Sequence, residues 1–254
     1  MEFPQTETIR RASRAALALA ASSLLSLHAG VLTFGTNWIV NGDAESGAGS
    51  TDGSAVPVPG WSPLNGLPLI TAVQYASAPG NFPAVSDPGP PSRGVNFFAG
   101  GNTGTAYGSQ ILDISAFAAQ VDAGEIAYSL SGYLGGWTDQ DDYASLGLAF
   151  LDSTTAIISG NSIIGPKAIG RNGQTELLYE STTGVIPTGT RSLQFILQSY
   201  RQQGTYDDGY ADNLSFVAND VSVAPAVPEP STVALAACAL LLPALARRYR
   251  RKPV

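Results

Sequence analysis

Ser192-Leu193-Gln194-Phe195-Ile196-Leu197-Gln198-Ser199-Tyr200 is the stretch that decides the fold. Leu193, Phe195 and Leu197 fall on one side of an extended chain, and Gln194 and Gln198 on the other, which is the period of a half-buried strand. Glu125 to Leu134 repeats it, with Ile126, Tyr128 and Leu130 on one side and Ala127, Ser129 and Ser131 on the other. Ala144 to Leu151, Thr175 to Tyr179 and Asn213 to Val217 are further strand-like runs, and Val95 to Ala99 reads as a short buried strand ending at Gly100-Gly101. Turns rich in Gly, Pro and Asp separate these runs, and a chain with 28 Gly and 17 Pro favours turns over helices. The pattern predicts an all-β antiparallel sandwich. Only Ile111 to Ala123 reads as a short helix. Ser77 to Gly94 reads as a long irregular loop, and Trp61, after Pro59-Gly60, as a core residue.

Both ends of the chain differ from this middle. Arg10, Arg11 and Arg14 precede an apolar run from Ala15 to Leu27, the layout of a secretory leader over residues 1–29 exported by the Sec machinery. At the other end Ser231 to Ala246 carries no charge, and Arg247, Arg248, Arg250, Arg251 and Lys252 follow directly. As a helix that run spans roughly 24 Å at about 1.5 Å per residue, and counting back to Val227 brings it near the length of a membrane span. The basic cluster stays on the cytoplasmic side, which places the middle of the chain outside.

Removing both ends changes the charge. Three Arg lie in the leader and five basic residues in the tail, leaving five Lys and Arg between residues 30 and 226 against 17 Asp and Glu, a net of −12. Such a field repels nucleic acid and attracts divalent cations. The single Cys, Cys238, lies in the apolar run and the single His, His28, in the leader. The exported part therefore has no disulfide, no Ser-His-Asp triad, no Cys-His pair and no His-ligated metal.

Val227-Pro228-Glu229-Pro230, the apolar run and the Arg cluster together resemble the PEP-CTERM sorting signal of Gram-negative envelope and exopolysaccharide-associated proteins. That resemblance implies recognition and removal of residues 227–254 by an exosortase of the inner membrane, with residues 218–226 as the linker. The alternative is a plain C-terminal anchor. Asn41-Gly42-Asp43-Ala44-Glu45 and Tyr210-Ala211-Asp212-Asn213-Leu214 resemble the first and last strands of galactose-binding-like jelly rolls, a fold that includes many carbohydrate-binding modules. The resemblance implies a jelly-roll domain over residues 30–217 with those strands as neighbours. It also implies a structural calcium held by Asp43, Glu45 and Asp212, for which an acidic domain has the oxygens to offer. The other reading makes Asn41 to Glu45 a turn and Asp212 a strand-end cap.

Aromatics beside acidic loops are the candidates for sugar binding, because a pyranose stacks on an aromatic face while carboxylates take its hydroxyls. Trp137, Asp139, Asp141, Asp142 and Tyr143 form one such group, and Tyr206, Asp207 and Asp208 another. Asp139 to Asp142 is no EF-hand, since Ala144 and Phe150 stand where that loop needs Gly and Glu. Paired carboxylates hydrolyse glycosides, but no spacing here singles out an acid and a base. Adjacent Asp residues in Gly-rich turns read as solvated, which gives their pKa values no reason to rise. The expectation is a non-catalytic envelope or extracellular module that binds glycan or exopolysaccharide. The alternatives are a structural or adhesive matrix protein without a specific ligand, and a glycosidase or polysaccharide lyase.

Overall fold

A computed structural model describes residues 32–78 and 81–221. The leader at 1–29 and the sorting signal at 227–254, with Val227 to Pro230 and the basic cluster, lie outside the described residues. Among the described residues no helix is long and apolar enough to cross a membrane.

The strands are β1 (Thr71–Gln74), β2 (Asn96–Ala99), β3 (Thr105–Asp113), β4 (Ile126–Gly136), β5 (Tyr143–Leu151), β6 (Ile157–Ile164), β7 (Glu176–Val185), β8 (Ser192–Tyr200) and β9 (Tyr210–Asp220). A five-stranded sheet runs in the order β1-β2-β9-β4-β7 and a four-stranded sheet in the order β3-β8-β5-β6. Every pairing between these strands is antiparallel. From β3 to β9 all but one of the connections cross from one sheet to the other, so the chain winds as an antiparallel jelly-roll β-sandwich. Leu193, Phe195 and Leu197 of β8 and Ile126, Tyr128 and Leu130 of β4 are buried, as their alternation predicts. They meet Leu146, Leu148, Phe150 and Phe216 in one main core lying wholly within residues 38–218, with a few half-buried residues around it. A smaller cluster of Val73, Tyr75, Phe82, Phe97, Ala99, Leu177 and Tyr210 lies apart from it.

The first described segment is stitched to the last strand. Gly35 and Trp38 donate N–H bonds to Ala218 and Phe216 carbonyls, and the Leu214 N–H bonds the Gly42 carbonyl. Asn37 ties the same seam by donating from Nδ2 to the Leu214 carbonyl and accepting the Phe216 N–H at Oδ1.

Several boundaries move. Ile111 to Asp113 belong to β3, and the helical part is a 3-10 turn at Ser115–Phe117 followed by α1 (Ala118–Ala123). The side chain of Asp113 accepts the Ser115 N–H and ends the strand. β9 runs to Asp220, three residues into the stretch read as linker, because Ala218, Asn219 and Asp220 pair with Tyr128, Ala127 and Ile126.

Candidate functional site

Three regions of the sandwich are polar: the loop ends, the outer face of the four-stranded sheet, and the seam between the first segment and the last strand. At the loop ends the acidic residues turn inward. Asp142 is fully buried; its Oδ1 accepts the N–H groups of Gln202 and Gln203 (2.6 and 2.9 Å), and its Oδ2 accepts that of Asp208 (3.0 Å). Asp207 Oδ1 accepts the Ser199 hydroxyl and the Gly209 N–H, while its Oδ2 is buried without a partner. Room for that carboxylate exists because residue 100 is Gly; a Cβ there would overlap it. Asp208 accepts the Tyr210 hydroxyl.

The cation that holds these loops is Arg171, fully buried at the end of a 3-10 turn. Its Nε donates to the Gln174 carbonyl and Nη1 to those of Asp142 and Pro166. Nη2 reaches the carbonyls of Trp137, Thr138 and Gln140. Gly136 leaves space for the guanidinium, since a Cβ at that position would come within 3.1 Å of it. One side chain thus fixes the path of residues 137–142.

Burial corrects the reading of Asp142, Asp207 and Asp208 as solvated turn residues. Desolvation, the largest cause, raises Asp207 to about 7 and Asp208 to about 6. The hydrogen bonds from Ser199 and Tyr210 pull the other way, and the neighbouring Asp142 adds to the rise. These carboxyls are perturbed, yet Asp207 is 0% and Asp208 6% exposed, so their oxygens face protein rather than ligand. Trp137 and Tyr206 are half-buried against the smaller core, Tyr206 edge-on to Phe82 with its hydroxyl on the Gly53 carbonyl. Asp139 is exposed. Asp141 is half-buried, with its Oδ1 accepting the Ala168 N–H and its own N–H bonded to Gln203.

Tyr143 goes the other way. It opens β5 opposite Tyr200 of β8, and their rings stack at 5.0 Å with an interplanar angle of 19°. Lys167 Nζ lies 5.6 Å from the Tyr143 ring on the same end of the sheet. One row further along, Tyr107 of β3 faces Gln198, whose Nε2 donates to the Tyr107 hydroxyl at 2.6 Å. Gln194 Nε2 donates to the Ser109 hydroxyl. Beyond these, Ile196, Gly147 and Ser162 share a row, as do Gln194, Ala149 and Gly160. The small residues at 147, 149 and 160 leave a shallow depression of about 270 Å³. The face therefore combines stacked aromatic rings, amide and hydroxyl groups, and a shallow depression. No Asp, Glu, Lys or Arg points out of its central rows. Tyr107, Gln194, Gln198 and the small residues were not among the expected ligand contacts. The signal for them is the polar side of the alternation in β8, where Gln194, Gln198 and Tyr200 share one face.

A third polar spot surrounds the seam of first segment and last strand. Glu45 Oε1 accepts the N–H groups of Val95 and Asn96 (2.8 and 2.7 Å), and Asp43 Oδ1 accepts that of Glu45. Asn96 Nδ2 donates to the Ala44 and Gly47 carbonyls, and its Oδ1 is buried without a partner. Asp212 is fully buried, accepting the Tyr75 hydroxyl at 2.7 Å and the Asn213 N–H at 2.6 Å. Burial raises Asp212 to about 7, and Glu45 and Asp43 contribute by like-charge repulsion. Among the described residues no three acidic side chains converge as a metal site.

No protein-family model matches the chain, and no curated protein matches it. Among solved structures the chain is similar to a Family 16 Carbohydrate Binding Module-2. That likeness has 20% identity and a TM-score of 0.43, and covers 71% of this chain and 99% of that one. It is similar also to TmCBM61 in complex with beta-1,4-galactotriose, at 12% identity and a TM-score of 0.39 over 72% and 98% of the two chains. A third is the Clostridium thermocellum xylanase 10B CBM22-1-GH10 structure with xylohexaose (14%, 0.36), of which the matched part is 29%. At these identities and TM-scores, function has to be read from the chain's own surfaces.

Proposed function

We propose that this chain is a non-catalytic glycan-binding module whose binding surface is the outer face of the four-stranded sheet. The observation that carries the reading is the Tyr143–Tyr200 stack beside the Tyr107–Gln198 pair on an open sheet face. Aromatic rings supply the apolar surface that a sugar ring covers, and fixed amides and hydroxyls supply direction. A face without outward charge in its central rows suits neutral hydroxylated chains, and the depression over Gly147, Ala149 and Gly160 gives such a chain a path across the strands. The export and sorting signals read at the two ends would deliver the module by Sec and exosortase to the envelope or the surrounding polysaccharide.

The seam offers oxygen donors of the kind a hard cation such as calcium takes, the Glu45 carboxylate and an Asn96 Oδ1 that is buried without a partner. Glu45 and Asn96 would hold it, with Asp43 and Asp212 supplying negative charge nearby. Calcium there would neutralise the carboxylates and fix the first segment on β9.

Residues 32–221 carry a complete core, and their binding to soluble neutral polysaccharides tests the proposal. Affinity electrophoresis should retard the domain in at least one β-linked glucan, mannan, galactan or xylan, and Tyr143→Ala or Tyr200→Ala should abolish the retardation. Retardation unchanged in both variants would overturn the assignment of the surface; no retardation in any polysaccharide would favour the structural or adhesive reading.

A further inference from the structure

We propose that β6 pairs edge to edge with β6 of a second copy of this chain, joining two four-stranded sheets into one of eight strands. The edges of the two sheets are treated differently. The outer edge of β1 is covered by Ser50, which bonds Ala72 and Gln74. The outer edge of β3 is covered by Ser62 and by the Pro68–Ile70 segment, which bond Ser109 and Tyr107. The start of β7 is met by Pro88, whose carbonyl accepts the Leu177 N–H, and the strand carries Glu180. Among the described residues β6 ends its sheet with no neighbour beyond it. Proteins normally blunt such an edge with Lys, Pro or an inward charge. Ile157-Ile158-Ser159-Gly160-Asn161-Ser162-Ile163-Ile164 has none of these, and Ile157, Ile158 and Ile164 are 59%, 40% and 59% exposed.

The backbone states which pairing is open. Ser162 N–H bonds its neighbour's Asn161 Oδ1 instead of β5, and Gly165 N–H bonds Ala144 of β5. From Ser159 to Gly165 odd-numbered residues therefore point their backbone groups at β5 and even-numbered residues point theirs at the open edge, and the bulge before Ser159 shifts this parity. Two copies related by a dyad perpendicular to the sheet must pair residues of one parity. Centring the strand on its own dyad places Gly160 against Ser162 of the second copy and Ile164 against the Ile157–Ile158 bulge, with Asn161 facing its own equivalent. Isoleucine meets isoleucine at both ends, and small residues occupy the middle, where the backbones approach.

Charge agrees with this register. Elsewhere the acidic domain repels its own copies, but the 157–166 stretch is free of charge. The antiparallel pairing brings the turn holding the half-buried Asp152 of each copy, whose Oδ1 accepts from Thr154 and Ala156, towards Lys167 of the other. Lys167 makes no ion pair within its own chain, since among the described residues the one salt bridge is Arg191–Asp122. The complementary charges meet twice, once at each end.

The joined sheet would carry both Tyr143–Tyr200 stacks on the same side, giving a bivalent face, although the pairing stands without any glycan. Sedimentation of residues 32–221 over a concentration series is the test. A reversible monomer–dimer equilibrium is expected, with the Gly160 and Ile164 amides protected from exchange only at high concentration. Ile164→Lys should weaken the dimer by at least about tenfold, whereas Ile169→Lys, at a fully exposed isoleucine outside β6, should leave it unchanged. A monomer at every concentration would overturn the proposal. So would equal losses in the two variants, which would mean unspecific apolar association, or a dimer whose β6 amides exchange freely.

Discussion

The acidic loops and the outer sheet face are both rich in polar groups, yet they solve opposite problems. At the loops, carboxylates and a guanidinium replace secondary structure: Asp142 satisfies three amides and Arg171 six carbonyls of chain that has no ladder partner. On the sheet face the backbone is already paired by β3, β8, β5 and β6, so Tyr, Gln and Ser side chains are left to address whatever lies outside. Polarity in the first region is spent on the fold itself, and in the second it is available for recognition. A residue's type alone did not separate the two; its backbone context did.

Breaking the first region should cost most. Arg171→Met leaves buried carbonyls without donors and uncovers Asp142, and urea denaturation is expected to show a loss of about 3–5 kcal/mol. A loss under about 1 kcal/mol would mean that water replaces the guanidinium and that the loops do not depend on it. Asp142→Asn is smaller. It turns an amide NH2 towards a backbone N–H, for an expected loss of about 2 kcal/mol.

Asp207→Asn should act in the other direction and with pH. A carboxyl raised to about 7 in the folded state binds a proton that the unfolded chain has released above about 4, so its stabilising contribution is complete below that pH and is lost as pH rises through 7. The folded protein should therefore lose melting temperature between about pH 4 and 7. The Asn variant keeps an oxygen for Ser199 and Gly209, and its melting curve should lie above that of the parent at pH 8 and coincide with it near pH 4. A parent curve flat across this range would show that Asp207 is ionised and solvated after all.

Tyr143→Ala and Tyr200→Ala sharpen the comparison from the other side. Each is expected to lower glycan affinity by about 1–3 kcal/mol, the range found by alanine substitution for a ring stacked on an aromatic side chain, while moving unfolding stability by less than about 1 kcal/mol. Equal effects on binding and stability would make the pair a packing element. The smallest effect expected is that of chelation: excess chelator should lower the melting temperature by a few degrees if calcium sits on Glu45 and Asn96, by mass action on the folded state.

Alternation made β4, β5 and β8 legible because nearly all their large apolar residues fall on one side, Ile196 being an exception. β3 was hidden for the opposite reason: its inward positions are Ala106 and Gly108, with Tyr107 pointing out, so the polarity pattern vanishes although the geometry is the same. β6 was hidden by Gly160-Asn161 at its centre, a pair that reads as a turn when its neighbour β5 is unknown. Asn41 to Glu45, read from its motif as a first strand, is a turn, as the other reading has it, and the contacts with β9 come from Gly35 to Gly42 instead. Asp207-Asp208-Gly209 looked like a surface turn because nothing local reveals that Gly100 and Ser199, distant in sequence, close over it.

Among the described residues β9 is the last strand, and it lies at the middle of its sheet, between β2 and β4. A polypeptide emerging from its N-terminus has made eight of the described strands before this one, and until it arrives the five-stranded layer is split in two and Gly35, Asn37, Trp38 and Gly42 lack their partners on β9. Completion of the sandwich is thus postponed until Tyr210 to Asp220 arrive. The chain stays threadable for as long as Tyr210 to Asp220 are withheld, and folds when they are delivered.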